Sequence, residues 1–263
     1  MNITILGSGT SQGVPLIGCR CEVCRSIDFR DQRLRVSVLI NIGNKNIVID
    51  SGPDFRQQML RERVDFLDAL IFTHEHKDHT AGMDDIRAFN FRRYGVEIKS
   101  NTDIFKMPLY ARKNVIEQLK NEFSYAFAAV KYPGSPQIDI NIIENTPFFI
   151  DDVKIIPVEV LHYNLPIFGY RIGDFTYITD ANYISENEKE KIRGTKVLVI
   201  NALQKSDHVS HYTLSQALEV IEDIKPDIAY LTHISHNMGL HAEVEKELPI
   251  NVRLAFDGLK FEI

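Results

Sequence analysis

The sequence predicts an α/β fold of two β-sheets packed face to face, with helices covering their outer surfaces. Three observations point there. Each half of the 263-residue chain opens with strand-like runs and then mixes strands with helices. The runs are short and rich in Ile, Val, Leu and Phe, as buried strands are. Asp and His recur where predicted strands end, and strand ends in one layer of a sandwich converge on one edge.

The elements follow in order. Asn2–Leu6 reads as a first strand running into the Gly-rich turn G-S-G-T-S-Q-G. Val36–Ile42 and Asn46–Ile49 are strands, the second ending in Asp50-Ser51-Gly52-Pro53. A helix is expected near Asp54–Arg63, then a strand at Ala69–Phe72 and a helix around Ala81–Phe89. Within 111–123, Val115, Ile116, Leu119 and Phe123 share one helical face. The second half restarts with strands at Ile138–Ile143, Val153–Val160, Phe168–Ile172, Phe175–Ile178 and Val197–Ile200. Thr213–Ile224 is an amphipathic helix burying Leu214, Ala217, Leu218, Ile221 and Ile224, and Thr213 with Gln216 fits a capping box. A strand at Ile228–Leu231, a helix near Ala242–Glu247 and two short strands close the chain. The least regular segments are Arg93–Met107 and the turn Tyr132–Gln137, either of which could border a cleft. There are no repeats, and the chain is expected to form a single domain, 1–263.

Composition narrows the class. A hydrophobic share of 44% and a charged share of 25% are those of a globular protein. A formal charge of −6 argues against broad capture of nucleic acid or anionic membrane. No apolar run approaches the roughly 20 residues of a membrane helix. The N-terminus lacks the pattern of a signal peptide. A cytoplasmic location is expected.

Thr73–His79, T-H-E-H-K-D-H, sets His74, His76, Asp78 and His79 within six residues at the end of a strand. Imidazole and carboxylate are the donors that hold zinc and other divalent first-row metals. Asp50, His162, Asp180 and His233 stand at or just beyond other predicted strand ends. Any one of them alone would be a turn residue or a cap; their recurrence points to a shared site.

The pattern H-x-H-x-D-H, followed by a later His, an Asp and another His, resembles the metallo-β-lactamase superfamily over essentially the whole chain. The resemblance implies a four-layer αβ/βα sandwich with a binuclear metal site on one edge. It implies that His74, His76 and His162 hold one divalent metal, that Asp78, His79 and His233 hold the other, and that Asp180 bridges them. The metals would be Zn or Mn. Asp50 would support the metal loop, and Asp78 would orient the attacking water. Redox members of the superfamily carry Glu where this chain has His76, and many β-lactamases carry Cys where it has Asp180. Both departures favour hydrolysis of something other than an antibiotic.

All three cysteines lie in G-C-R-C-E-V-C, at Cys19, Cys21 and Cys24. An odd, clustered set is a poor disulfide framework and a good metal site. Zinc needs a fourth ligand, and His236 in H-I-S-H is the candidate. The N-terminal turn, C-x-C-x2-C and the late H-x2-H together resemble one subfamily, which contains the phosphodiesterase acting on cyclic ribose phosphate in phosphonate breakdown. The resemblance implies one structural zinc held by Cys19, Cys21, Cys24 and His236.

In that subfamily a histidine before the helix at 213 protonates the leaving group. His211 fits that role better than His208, which reads as a surface residue. Tyr163, Asn164 and Phe168 could border the pocket, with Phe168 open to a second reading as core. Ser8, Thr10, Ser11 and Gln12 could offer backbone N–H groups to a phosphate. Arg25, Arg30, Arg33 and Arg35 read as a solvated basic cluster. The expected function is a binuclear phosphodiesterase acting on small or cyclic ribose or nucleotide phosphodiesters. Such a protein needs no membrane or nucleic-acid partner, and the subfamily suggests a homodimer. The rival readings are a tRNA 3′-end endonuclease, a thioesterase of the glyoxalase II kind, and a non-catalytic metal or nucleotide binder.

Overall fold

The computed structural model describes residues 1–93, 95–97 and 104–263. Residues 94 and 98–103 of the irregular segment expected at Arg93–Met107 lie outside the described residues. The strands are β1 Asn2–Gly7, β2 Ser37–Ile42, β3 Lys45–Ile49, β4 Ala69–Ile71, β5 Arg92–Arg93, β6 Val96–Glu97, β7 Met107–Ala111, β8 Ile138–Ile142 and β9 Phe148–Ile150. They continue as β10 Val153–His162, β11 Leu165–Ile172, β12 Phe175–Ile178, β13 Tyr183–Ile184, β14 Val197–Asn201, β15 Ile228–Thr232, β16 Val252–Leu254 and β17 Lys260–Glu262.

One sheet has the order β17-β1-β2-β3-β4-β7-β8, and the other β13-β10-β11-β12-β14-β15-β16, with β9 pairing β10. Each sheet is antiparallel on one side and parallel on the other: β3, β4, β7 and β8 run parallel, as do β12, β14, β15 and β16. Alternation along the strands makes four layers. Ile47 and Ile49 of β3 face inward to meet Phe168, Tyr170, Phe175 and Tyr177 between the sheets. Val48 faces outward, onto Phe55, Met59, Val115 and Leu119 of the helices Phe55–Glu62 and Lys113–Glu122. In β14, Val197 and Val199 join the inter-sheet core. Leu198 and Ile200 pack under Ala217, Ile221 and Ile224 of the helix Leu214–Ile224. That helix begins with the expected capping box between Thr213 and Gln216.

Three expectations need correction. The helix expected at Ala81–Phe89 is broken into Lys77–Thr80, a 3₁₀ turn Met83–Ile86 and Arg87–Asn90. The break allows Gly82 to fold under the Asp50–Pro53 turn, where its N–H donates to the carbonyl of Ser51 at 2.8 Å. A Cβ on Gly82 would meet the carbonyl oxygen of Gly52 at 2.1 Å. Second, β7 has no counterpart in the expected elements. Pro108 in its middle argues against a central strand, yet β7 lies between β4 and β8. Third, Phe168 does not border a pocket; it is fully buried between the sheets.

Parallel strands share one C-terminal edge, where sites of open α/β sheets form. Here Asp50 follows β3, the Thr73–His79 loop follows β4, Asp180 follows β12 and His233 follows β15. Hydrogen bonds from Tyr170 Oη to the carbonyl of Phe72 (2.6 Å) and from the N–H of Phe168 to that of Thr73 (3.2 Å) tie the two sheets together beside the site.

Candidate metal centres

The edge of the sandwich gathers the seven predicted donors. The ligand atoms of His74, His76 and His162 lie within 4.8 Å of one another, as do those of Asp78, His79, Asp180 and His233. A third set, His162, Asp180 and His211, meets the same limit and shares one member with each of the others. Asp180 therefore lies within that limit of His162 of the first group as well as of its own group. His76 is exposed and His162 half-buried, whereas His79 and His233 are buried, so the cluster opens to solvent at its first end.

Backbone geometry does part of the aiming. Asp50, Asp180 and His233 adopt left-handed φ values of 64°, 60° and 54°. Such a conformation costs a non-glycine residue on the order of 1–3 kcal/mol and is concentrated at functional sites. It turns the chain sharply just past the strand.

Hydrogen bonds set the ring orientations. Buried Asp50 accepts from the N–H and hydroxyl of Thr73, both at 2.8 Å, and from His79 Nδ1 at 2.7 Å. With its proton on Nδ1, His79 presents the lone pair of Nε2 to the cluster. His162 Nδ1 donates to the carbonyl of Ser210 at 2.9 Å and so presents Nε2 in the same way. Thr179 Oγ1 donates to Asp180 Oδ2 at 2.6 Å.

The electrostatics fit a cation. His79 Nε2 and both ring nitrogens of His233 are buried without a hydrogen-bond partner. Yet His79 Nε2 is 3.1 Å from Asp78 Oδ2 and 3.3 Å from Asp180 Oδ2, and His233 Nε2 is 3.0 Å from Asp180 Oδ1. Donor atoms at these distances but without hydrogen-bond angles point to a common centre. Burial presses His233 down, but Asp180 and Asp78 outweigh it and raise it to about 9. The same balance raises His79. Burial pushes Asp78 up, but His79 and His233 outweigh it and hold its carboxyl well below the usual range. His74 is lowered, by burial first and then by His79.

A second cluster lies close by. The ligand atoms of Cys19, Cys21, Cys24 and His236 are also within 4.8 Å of one another, the donor set of a tetrahedral zinc site. His236 Nδ1 is 3.5 Å from Cys19 Sγ and 3.3 Å from Cys21 Sγ. The N–H groups of Cys21, Cys24 and Leu16 point at the sulfurs of Cys19, Cys21 and Cys24 respectively. His236 is the main cause lowering the Cys21 thiol to about 6, whereas burial raises Cys24 to about 11.

A profile of the Beta-lactamase superfamily domain matches residues 45–234, more than half of the chain. The chain belongs to the metallo-β-lactamase superfamily. A crystal structure described as a new diphosphatase from the PhnP family is 39% identical, with a TM-score of 0.90 over 100% of this chain and 97% of that one. Zinc-bound PqqB from Methylobacterium extorquens shares the fold at 17% identity, with a TM-score of 0.77 over 100% of both chains. Human tRNase Z, short form, does so at 15% identity, with a TM-score of 0.69 over 100% of this chain and 99% of that one. Among curated proteins, an octanoyltransferase of Porphyromonas gingivalis is 38% identical over 99% of this chain but only 51% of its own length. The chain thus spans about half of that relative. Metallo-β-lactamase membership gives the chain that fold and implies divalent metal ions at its donor clusters.

Other residues fall differently from expectation. In the Gly-rich turn, the expectation of available N–H groups fails at Ser8 and Thr10. Those of Ser8, Gly9, Thr10 and Gly13 are taken by Asp257, Leu34, Ile234 and Thr10 respectively. Of the arginines expected to be solvated, Arg25 is exposed, but the others are engaged. Arg33 is buried, donating to Ser8 Oγ, the carbonyl of Ala255 and His241 Nδ1, while Arg30 pairs with Asp28 and Arg35 with Asp54. His211 Nε2 lies 3.1 Å from Asp180 Oδ1, and burial is the main cause lowering this histidine to about 4. His208 is exposed, as expected, with its Nδ1 3.2 Å from that of His211. The sequence reading missed Thr73, Thr179 and Ser210, which orient the donors. A signal was present: threonine precedes a donor in Thr73-His74, Thr179-Asp180 and Thr232-His233.

Among the described residues, no helix is long and apolar enough to cross a membrane.

Proposed function

We propose that the chain is a binuclear metal-dependent phosphodiesterase acting on small or cyclic ribose or nucleotide phosphodiesters. The observation that carries this reading is the position of Asp180, whose carboxylate lies within 4.8 Å of ligand atoms of Asp78, His79 and His233 and also of His162 from the other donor group. His74, His76 and His162 would hold one divalent metal, and Asp78, His79 and His233 the other, with Asp180 shared. Zinc or manganese held there would supply Lewis acidity and lower the pKa of water enough for attack at neutral pH. Asp78 orients the attacking water. His211, beside Asp180, faces the departing oxygen and steadies it with a hydrogen bond from its ring N–H. Cys19, Cys21, Cys24 and His236 would hold a structural zinc that pins the N-terminal loop to the segment after His233.

The 39% identity with a diphosphatase supports phosphoryl chemistry. We infer that acyl transfer resides in the half of the octanoyltransferase outside the match. A tRNA nuclease gains affinity by neutralising many phosphates, and a net charge of −6 disfavours it.

The test is hydrolysis of bis(p-nitrophenyl) phosphate and ribose cyclic phosphates by metal-stripped protein with Mn²⁺ or Zn²⁺ added back. Turnover that returns with metal and is lost in His76→Ala is expected. Absence of turnover on every phosphodiester would sink the reading.

A further inference from the structure

Asn201 ends β14 and is fully buried. Strand β12 runs parallel beside it, with Ile178 opposite Ile200, so Asn201 meets the neighbouring chain where that chain turns at Asp180. Its amide closes a ring with the backbone of one residue. Oδ1 accepts from the N–H of Ala181, and Nδ2 donates to the carbonyl of Ala181, both at 2.8 Å. A primary amide can do this because it carries an acceptor and a donor side by side. The pair extends the parallel ladder by one rung past the end of β12, with a side chain standing in for backbone.

That rung lies at the turn that aims the shared carboxylate. Asp180 holds a left-handed φ of 60°, a conformation that persists only where the surroundings over-determine it. Ala181 follows it directly. The carbonyl of Ala181 also accepts from the N–H of Tyr212 at 2.7 Å, and the N–H of Asn182 donates to the carbonyl of Leu161 at 2.8 Å. These bonds fasten the turn to the residues beside His211 and His162. The next two residues reach the last donor loop. The N–H of Ala202 donates to the carbonyl of Thr232, and the carbonyl of Leu203 accepts from the N–H of Ser235, both at 2.9 Å. The segment 201–203 therefore grips the chain next to Asp180 and on both sides of His233.

We propose that Asn201 is a positioning residue for Asp180, fixing the turn so that one carboxylate serves both metals. The proposal rests on the binuclear reading. The side-chain hydrogen bonds of Asn201 go to Ala181, so it acts through the turn. Without the amide, the buried N–H of Ala181 loses its partner, and leaving such a donor unpaired is costly. The turn relaxes to satisfy it, and the Asp180 carboxylate swings away from its shared position.

The experiment loads the protein with two equivalents of Mn²⁺ and records its electron paramagnetic resonance. Ions bridged at close range give the closely spaced hyperfine lines of an exchange-coupled pair, and ions held apart give those of single ions. The wild type is expected to show the coupled pattern. Asn201→Leu, close in volume but without the amide, is expected to lose it, and its weaker equivalent should bind about tenfold less tightly, as on loss of an orienting partner. Thr195→Val controls for stability alone. Thr195 is buried near the other end of these strands, its hydroxyl bonded to Thr176 Oγ1 at 3.0 Å and to the carbonyl of Asp174 at 2.9 Å. That variant is expected to unfold at a lower temperature with its coupling intact. If Asn201→Leu does not fold, Asn201→Ser, which cannot pair with both Ala181 groups, replaces it with the same expectation. A coupled spectrum retained in the folded Asn201 variant, or lost in Thr195→Val, overturns the positioning role and leaves the binuclear reading standing. A wild type that binds both equivalents without coupling overturns that reading and the proposal with it.

Discussion

Replacing Asp50 with Asn tests whether His79 is aimed by its hidden partner. Oδ1 of Asp50 takes the Thr73 N–H, while Oδ2 takes both the Thr73 hydroxyl and His79 Nδ1, at 2.7–2.8 Å. An amide keeps only one of these oxygens as an acceptor. If that oxygen stays with the Thr73 N–H, the amide NH₂ faces His79 Nδ1, and the imidazole must move its proton to Nε2. That atom is the one directed at Asp78 and Asp180, so its lone pair would be lost to a metal. Loss of such an orienting partner typically weakens metal affinity about 10–100-fold, or roughly 1.4–2.8 kcal/mol. The same change leaves buried donors mismatched, at a cost of about 1–3 kcal/mol in folding stability. Competitive titration against a chromophoric chelator should show one metal equivalent weakened by that factor and the other little changed. If every equivalent binds within twofold of the wild type, the orienting role of Asp50 is refuted.

Three further outcomes are expected. In Gly52→Ala, the new Cβ would meet the carbonyl oxygen of Asp78 at 2.0 Å, so Asp78 must shift; thermal unfolding should show a stability loss on the order of 1–3 kcal/mol, and metal binding should weaken with it. In Cys21→Ser, plasma mass spectrometry should find one zinc equivalent fewer per chain, with the loop at 15–25 newly open to proteolysis; unchanged zinc content would refute the second site. The third concerns pH. Burial, followed by Arg33 and Arg30, lowers His241 to about 4, against an unfolded value of about 6.5. Between those values the unfolded chain binds the extra proton, so this contribution is complete above about pH 6.5 and is lost as pH falls toward 4. Urea titrations should show His241→Gln with a flatter loss of stability across that window than the wild type.

Much of the fold was legible because its signals are local. The short apolar runs of β3, β12, β14 and β15 and the apolar face of Leu214–Ile224 each declare themselves within a few residues. Elements whose identity depends on distant partners were not legible. Pro108 hid β7, which is held by pairing between β4 and β8 and by burial of Met107, Leu109 and Ala111. The helix expected after His79 breaks because Gly82 must fit beneath Gly52, 30 positions upstream. Arg33 looked like a surface cation, and its burial follows from partners more than 200 positions away, Ala255 and His241.

The sequence by itself determined the donor inventory and its chemistry. Imidazoles, carboxylates and thiolates at those spacings bind metal whatever else the chain does. Tertiary structure alone decided which donors meet. Asp78, Asp180 and His233 are separated by long stretches of chain, and only the parallel strands of two packed sheets bring them to one edge. It also decided how the donors are aimed, because the left-handed turns at Asp50, Asp180 and His233 and the grip of Asp50 on His79 exist only when the surrounding layers hold them. The grip of Asn201 on the Asp180 turn is of the same kind, since it reaches across 20 positions from the neighbouring strand.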